Sequence, residues 1–323
     1  MSIAGIDSES LRLMARVLTL HYIEGKLQSE VATELGLSSA KVNRLIKRGR
    51  ELGMVHITIN SPFQPLFELE RKLSMRWDLR YCSVVAAVTG NAETTLNQVG
   101  KQAGEMLVDS IRDGDTIAIS GGKALGAVID NLSVDRAYDV NVAPMTGGVQ
   151  GQHYTDVNHI ATRLADKLGG RATLIHAPLH ADTPAERDLL MSVRAVRDVM
   201  DISRKAAVAV VGIGSVVGPN ATYYVAQPLP ESERIKLVER GVRGEFLGHL
   251  INGDGSLAKT ELNSRLVALP PQEAMSIPIR IGVASGEEKV GPIMAALNGG
   301  YINALVVDDH TAETVLESEV RVA

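Results

Sequence analysis

A single cysteine in 323 residues, Cys82, excludes an internal disulfide framework, and its apolar neighbours Val84 and Val85 predict a buried thiol. No basic-then-apolar leader opens the sequence and no uncharged apolar run reaches 18 residues, so secretion and membrane spanning lack support and a cytoplasmic protein is expected. The eight histidines form no metal box. His176 and His180 are four apart, but Pro178 between them opposes the helix that would align them, so both are read as structural and no metal or other cofactor is expected. A dinucleotide fingerprint is also missing. Gly212-Ile213-Gly214 with Gly218 has one residue too many between its glycines, and Pro219 and Asn220 interrupt the helix that would hold a pyrophosphate.

Positive charge is scarce overall, since the chain has a net charge of −5. Residues 1–60 nevertheless carry eight Lys and Arg against six Asp and Glu, a net +2 that leaves −7 for the rest. The cations concentrate at Lys41, Arg44, Lys47, Arg48 and Arg50, with no acid among them until Glu51. Around them the sequence reads as two short helices meeting at Gly36: Val31, Ala32 and Leu35 recur at helical spacing, Leu37 plugs the corner, and Ser38 sits where an N-cap belongs. Val42, Leu45, Ile46 and Gly49 then fall on one face of the second helix and Ala40, Arg44 and Lys47 on the other.

This pattern predicts a helix-turn-helix that binds double-stranded DNA. Ser39, Asn43 and Arg44 are the candidates for base edges, because Asn pairs bidentately with adenine and Arg with guanine. Ser38, Lys41, Lys47, Arg48 and Arg50 complete the candidate DNA-binding set, the last three holding the phosphate backbone. An ordinary helical hairpin with a solvated basic face would share the charge but not the joint occurrence of turn, cap and apolar period. Leu11, Met14, Leu18 and Tyr22 form a stripe for a third helix, and Met54 to Ile59 alternates like the strand of a wing.

Ser61-Pro62-Phe63-Gln64-Pro65 breaks that pattern, which sets the expected organisation: a DNA-binding domain over 1–60, a linker and connecting helix over 61–76, and a larger domain over 77–323. The larger domain alternates β-rich segments at 82–88, 116–120, 139–145, 173–177, 207–211, 279–284 and 305–307 with helical patterns at 94–111, 123–132, 158–168, 184–201 and 290–296. The expected fold is therefore α/β, Rossmann-like, with a mostly parallel sheet covered on both faces and ligands beyond the carboxyl ends of its strands. Glycines gather there, in Gly121-Gly122-Lys123, Gly147-Gly148 and Gly212-Ile213-Gly214, and suit an anion approached by backbone amides. Lys289, after the segment Ala284-Ser285-Gly286-Glu287-Glu288, brings an ammonium to the same end.

Val31 to Ser38, Val42-Asn43-Arg44-Leu45-Ile46, Thr146 to Val149, Val210 to Gly214, Gly241 to Glu245, Ala284 to Lys289 and Asn303 to Asp309 together resemble, in this order, the SorC family of bacterial sugar-responsive transcriptional regulators. The resemblance spans nearly the whole chain. It implies a helix-turn-helix coupled to an effector domain similar to sugar-phosphate isomerases, acting as a homodimer or homotetramer on an operator and answering to a sugar, sugar phosphate or polyol. It also implies that Gly121, Gly122, Lys123, Gly147, Gly148, Gly212, Gly214 and Lys289 line the effector site, with Glu245 and Asp308 contacting hydroxyls. The rival expectation is an isomerase-like enzyme with an appended DNA-binding module.

Overall fold

The computed structural model describes residues 7–57, 60–149, 156–217 and 221–318. The chain divides into two compact units, Met1–Gln64 and Pro65–Ala323.

In the first unit, helices Ser8–Leu18, Gln28–Leu35 and Ser39–Glu51 enclose a core of Met14, Val17, Leu18, Leu20, Val31, Ala32, Val42 and Ile46. A π-helical turn, Thr19–Ile23, extends the first helix, and Leu20 within it is buried whereas Tyr22 is only half so. The Ser38 hydroxyl accepts from the Lys41 amide and starts the third helix, while Gly36 ends the second in the left-handed conformation. The expected wing is not formed by Met54–Ile57, which run without a strand partner; Thr58 and Ile59 lie outside the described residues. Four residues with no second strand gain no ladder hydrogen bonds, and Met54 and Val55 instead lean on the three-helix core.

The second unit is built on seven strands: β1 (Tyr81–Val85), β2 (Thr116–Ile119), β3 (Asn141–Pro144), β4 (Arg171–Ala172), β5 (Val208–Gly212), β8 (Ile279–Val283) and β9 (Ala304–Asp308), the two intervening strands β6 (Val242–Phe246) and β7 (His249–Asn252) forming a separate antiparallel hairpin. The sheet order is β1-β9-β8-β5-β2-β3-β4 and every pairing in it is parallel. Apolar side chains cover both faces, which is why its strands read as continuous Val, Ile and Ala runs rather than alternating ones. Helix Gln64–Trp77 contributes Leu69 and Leu73 to one of these faces. Cys82 in β1 is half-buried, and burial pushes its thiol up to about 12, so it is inert.

Three expectations shift. The segment 173–177 is not a strand; β4 is the pair Arg171–Ala172, because the Asn158 side chain takes both the amide and the carbonyl of Ile175 at 2.9 and 2.8 Å and so replaces ladder partners. The single helix expected over 184–201 is two, Pro184–Ser192 and Arg194–Arg204, broken at an extended Val193. The hairpin β6–β7 stands where the sequence predicts no strand.

Helices Ala92–Ser110 and Lys123–Asn131 touch backbone to backbone at Gly100, where an added Cβ would lie 2.5 Å from the Ala127 carbonyl carbon and 2.6 Å from its oxygen. Backbone cannot rotate aside as a side-chain tip can. Gly100→Val is expected to destabilise the second unit by about 1–3 kcal/mol or more, read as a lower urea midpoint at unchanged slope. A midpoint equal to wild type would show the two helices to be looser than this contact implies.

Candidate functional site

Two surfaces combine the residues singled out from the sequence. On the first unit, Ser38, Ser39, Lys41, Asn43, Arg44, Lys47, Arg48 and Arg50 are all exposed, while Val42, Ile46 and Gly49 face the core. Lys41, Arg44, Lys47 and Arg48 take part in no ion pair among the described residues. Arg50 differs, because its Nε donates to the Tyr22 hydroxyl at 2.7 Å and its guanidinium lies 5.8 Å from that ring. The third helix therefore presents a cationic face whose charge is not neutralised by any ion pair among the described residues, anchored at one end by Tyr22.

On the second unit the loops after β2, β5 and β8, three neighbouring strands at the middle of the sheet, converge on one cavity of about 360 Å³. Gly121, Gly122, Lys123, Gly212, Gly214, Glu245 and Lys289 all line it. Gly122 is the N-cap of helix Lys123–Asn131, so the first-turn amides of that helix open toward the cavity with no acceptor inside the helix. Lys123 and Lys289 add two ammonium groups, and Glu245 and Glu288 two carboxyls.

Glu245 arrives from the hairpin. Its strand bridges to Gly214 through hydrogen bonds in both directions, Glu245 N to Gly214 O at 2.8 Å and Gly214 N to Glu245 O at 3.1 Å. A Cβ on Gly214 would stand 2.0 Å from Glu245 Oε1, so only glycine lets the carboxyl lie flat against this backbone. Burial pushes the Glu245 carboxyl above its ordinary range, the Gly248 amide donating to Oε2 at 2.8 Å and the charge of Lys289 drawing it partly back. Burial also holds the Lys289 amine below its usual range, with Glu288 and Glu245 opposing that shift and Lys123 adding to it.

Gly147 lines a side lobe of about 80 Å³, which shares Gly121, Gly122, Gly212, Thr222 and Glu245 with the main cavity. Gly148 and Asp308 stand elsewhere. The Gly148 amide donates to Ala177 O at 2.9 Å and its carbonyl accepts from Leu179 N at 2.8 Å, so it serves as a pairing residue between loops. Asp308 is 3% exposed, and its carboxylate accepts from Thr311 N, Thr311 Oγ1 and Gly286 N at 2.9, 2.7 and 3.1 Å. The expectation that Asp308 contacts ligand hydroxyls gives way to a positioning role, because its oxygens already cap helix Asp309–Glu317 and fix the turn that carries Lys289. Leu96, Ser215 and Thr222 also line the cavity and were not read from the sequence. No spacing rule marks them, since each comes from a different loop or helix.

Two histidines lie close by. Burial, with Arg265 nearby, lowers His180 to about 4, and burial lowers the 5%-exposed His249 to about 4. Both are neutral in the folded state at pH 7, whereas an unfolded imidazole titrates near 6.5. The folded state therefore loses stability as the pH falls from about 6.5 toward 4, by about 2 kcal/mol per imidazole at pH 5. Glu245, whose carboxyl is raised, acts in the opposite sense over the acidic range. Comparison of wild type with His249→Gln by urea denaturation at pH 7.5 and 5 isolates the histidine; an equal pH dependence in both chains would remove His249 from the account.

Comparison with known proteins fits both surfaces. Residues 61–317 match the family model described as a sugar-binding domain, and residues 13–52 match sigma-70 region 4. The chain is 31% identical over 316 residues to the transcriptional regulator LsrR of Enterobacter sp. (strain 638), covering 97% of this chain and 95% of that protein. It is 31% identical over 309 residues to LsrR of Escherichia coli (strain K12), covering 94% of each. Among solved structures, the full-length sorbitol operon regulator SorC from Klebsiella pneumoniae superposes with a TM-score of 0.74 at 28% identity, over 96% of this chain and all of that one. A probable sor operon regulator from Shigella flexneri superposes with a TM-score of 0.72 at 27% identity, over 78% of this chain and 99% of that one.

Proposed function

The chain belongs to the SorC family of sugar-binding transcriptional regulators, and from that premise we propose that it is a sequence-specific DNA-binding regulator whose hold on its operator is set by a sugar, sugar phosphate or polyol. Residues 1–60 act as the DNA-binding part, 61–76 as the connection and 77–323 as the sensor. The observation that carries the reading is the exposed, unneutralised cationic face of helix Ser39–Glu51, led by an N-capped first turn. In the groove, Ser39, Asn43 and Arg44 read base edges while Lys41, Lys47 and Arg48 neutralise phosphates.

The sensor cavity suits an anionic, hydroxylated ligand. Phosphate oxygens match the helix-start amides and the ammonium groups of Lys123 and Lys289, and the Glu245 carboxyl accepts from hydroxyls. We propose further that the protein works in the cytoplasm as a homodimer or homotetramer, so that effector binding changes the spacing of paired recognition helices on a two-fold operator. Such control requires that the effector bind the two arrangements with different affinity. Fluorescence anisotropy on operator and scrambled duplexes, with and without sugar and polyol phosphates, tests the reading. Equal affinity for both duplexes in every condition would sink it.

A second reading, an isomerase-like enzyme, draws on the raised carboxyl of Glu245 and the lowered amine of Lys289 in one cavity, the combination that acid-base chemistry uses. Incubation of the full chain with pentose and hexose phosphates separates the two. Binding without turnover favours the sensor, and turnover favours the enzyme.

A further inference from the structure

Among the described residues, the buried side-chain atoms left without a hydrogen bond are His180 Nε2, the Tyr223 hydroxyl and Arg265 Nε. Arg265 Nε has a partner of another kind, the Glu261 carboxylate at 3.7 Å. The other two have none, and both belong to the wall of the side lobe that opens from the main cavity at Glu245. Tyr223 is only 4% exposed, and its ring meets that of His180 edge to face with centroids 6.5 Å apart. An unpaired polar atom in so dry a place costs as much as a lost hydrogen bond, so two of them in one small wall call for a partner that the described residues do not supply.

The chemistry of that partner is constrained. Burial keeps Tyr223 protonated and His180 uncharged, so the wall offers a phenolic donor beside an imidazole nitrogen that accepts or donates according to its tautomer. The complement is a neutral group that both accepts and donates, which a hydroxyl does. A phosphate or carboxylate is disfavoured there because Glu245 shares the wall, neither side chain carries positive charge, and Arg265 nearby is already paired with the Glu261 carboxylate. The lobe, at about 80 Å³, is well above the roughly 10–15 Å³ that a single water needs, so it has room for a hydroxyl group and the carbon that bears it.

We infer that the lobe between Tyr223 and His180 is a specificity subsite for the uncharged, hydroxylated end of the effector, with Glu245 at its junction with the cation-lined cavity. The inference rests on the reading of that cavity as the effector site. It also gives His180, which spacing alone made structural, a role toward ligand.

The test uses the full chain and two probes, inorganic phosphate and sorbitol 6-phosphate, with calorimetry and thermal melts. The expected results are that Tyr223→Phe without ligand is at least as stable as wild type, because an unpaired hydroxyl has been removed, and that wild type binds sorbitol 6-phosphate more tightly than phosphate. In Tyr223→Phe the sorbitol 6-phosphate affinity falls by about tenfold while that for phosphate stays within twofold. Lys289→Ala weakens both probes. A drop in the ligand-free stability of Tyr223→Phe would mean the hydroxyl serves the fold, and would overturn the subsite. So would an undiminished preference for sorbitol 6-phosphate in that variant, or no preference in wild type while Lys289→Ala still abolishes phosphate binding; these leave the cavity reading intact. Failure of both probes to bind wild type, or binding indifferent to Lys289→Ala, overturns the cavity reading and the subsite with it.

Discussion

An Arg44→Ala chain is expected to bind its operator about 1–3 kcal/mol more weakly and to lose discrimination at one base-pair position, while its affinity for scrambled DNA changes little. The effect follows from where Arg44 stands: exposed, on the face opposite Val42 and Ile46, in the half of the helix led by the Ser38 cap, with no acidic partner among the described residues. Lys47→Ala provides the contrast. Its loss should be shared by all sequences and should reduce the slope of log affinity against log salt by about 0.9, the signature of one phosphate contact. Titrations of both variants against specific and scrambled duplexes at several salt concentrations decide the matter. Identical losses on both duplexes for both variants would defeat the division of labour along this helix.

Lys289→Ala is expected to have the largest effect on the sensor side. Its ammonium is held in the cavity wall at the cost of desolvation, and the lowered amine is the mark of that cost. An anionic ligand that pairs with it gains a charge-assisted interaction in a partly dry site, so removal should weaken a phosphorylated effector by about 2–5 kcal/mol and leave an unphosphorylated polyol nearly untouched. Isothermal calorimetry with a matched pair, sorbitol and sorbitol 6-phosphate, reads this directly. Equal losses for the two would place Lys289 on a hydroxyl rather than a phosphate. A fall in the melting temperature of the ligand-free variant would point instead to a structural pairing with Glu245 or Glu288.

Much of this geometry is legible in the sequence because local chemistry and tertiary structure agree there. Gly36, Ser38 and the 42–46–49 stripe specify their own corner, cap and buried face, and the structure places them so. The parallel sheet is similarly open to reading, since strands buried on both faces leave continuous aliphatic runs between helical patterns. The hairpin β6–β7 is not. Its turn has positive φ at both central residues, 52° at Leu247 and 80° at Gly248, a conformation usually advertised by Asn-Gly. Leucine hides that signal, and its burial at 2% exposure offsets the strain.

Asp308 misleads for the opposite reason. The family resemblance implies a hydroxyl contact at Asp308, yet Thr311 three residues on makes it an N-cap, and only the fold brings Gly286 to the same carboxylate. The pairing of Tyr223 with His180 is unmarked in the sequence because a short helix, Thr222–Ala226, and a distant loop bring them together only in space. Their significance is an unpaired atom, which no pattern of residues records.

The pairing of β1 with β9, residue 81 beside residue 304, has a consequence for how the protein comes into being. During synthesis the three-helix unit has all its core residues as soon as its own helices leave the ribosome, whereas the sheet edge at β1 waits for the last described strand, β9, to emerge. Lys289 arrives equally late. A nascent chain thus has the complete core of its helix-turn-helix unit before the loops that line the second unit's cavity have all been made.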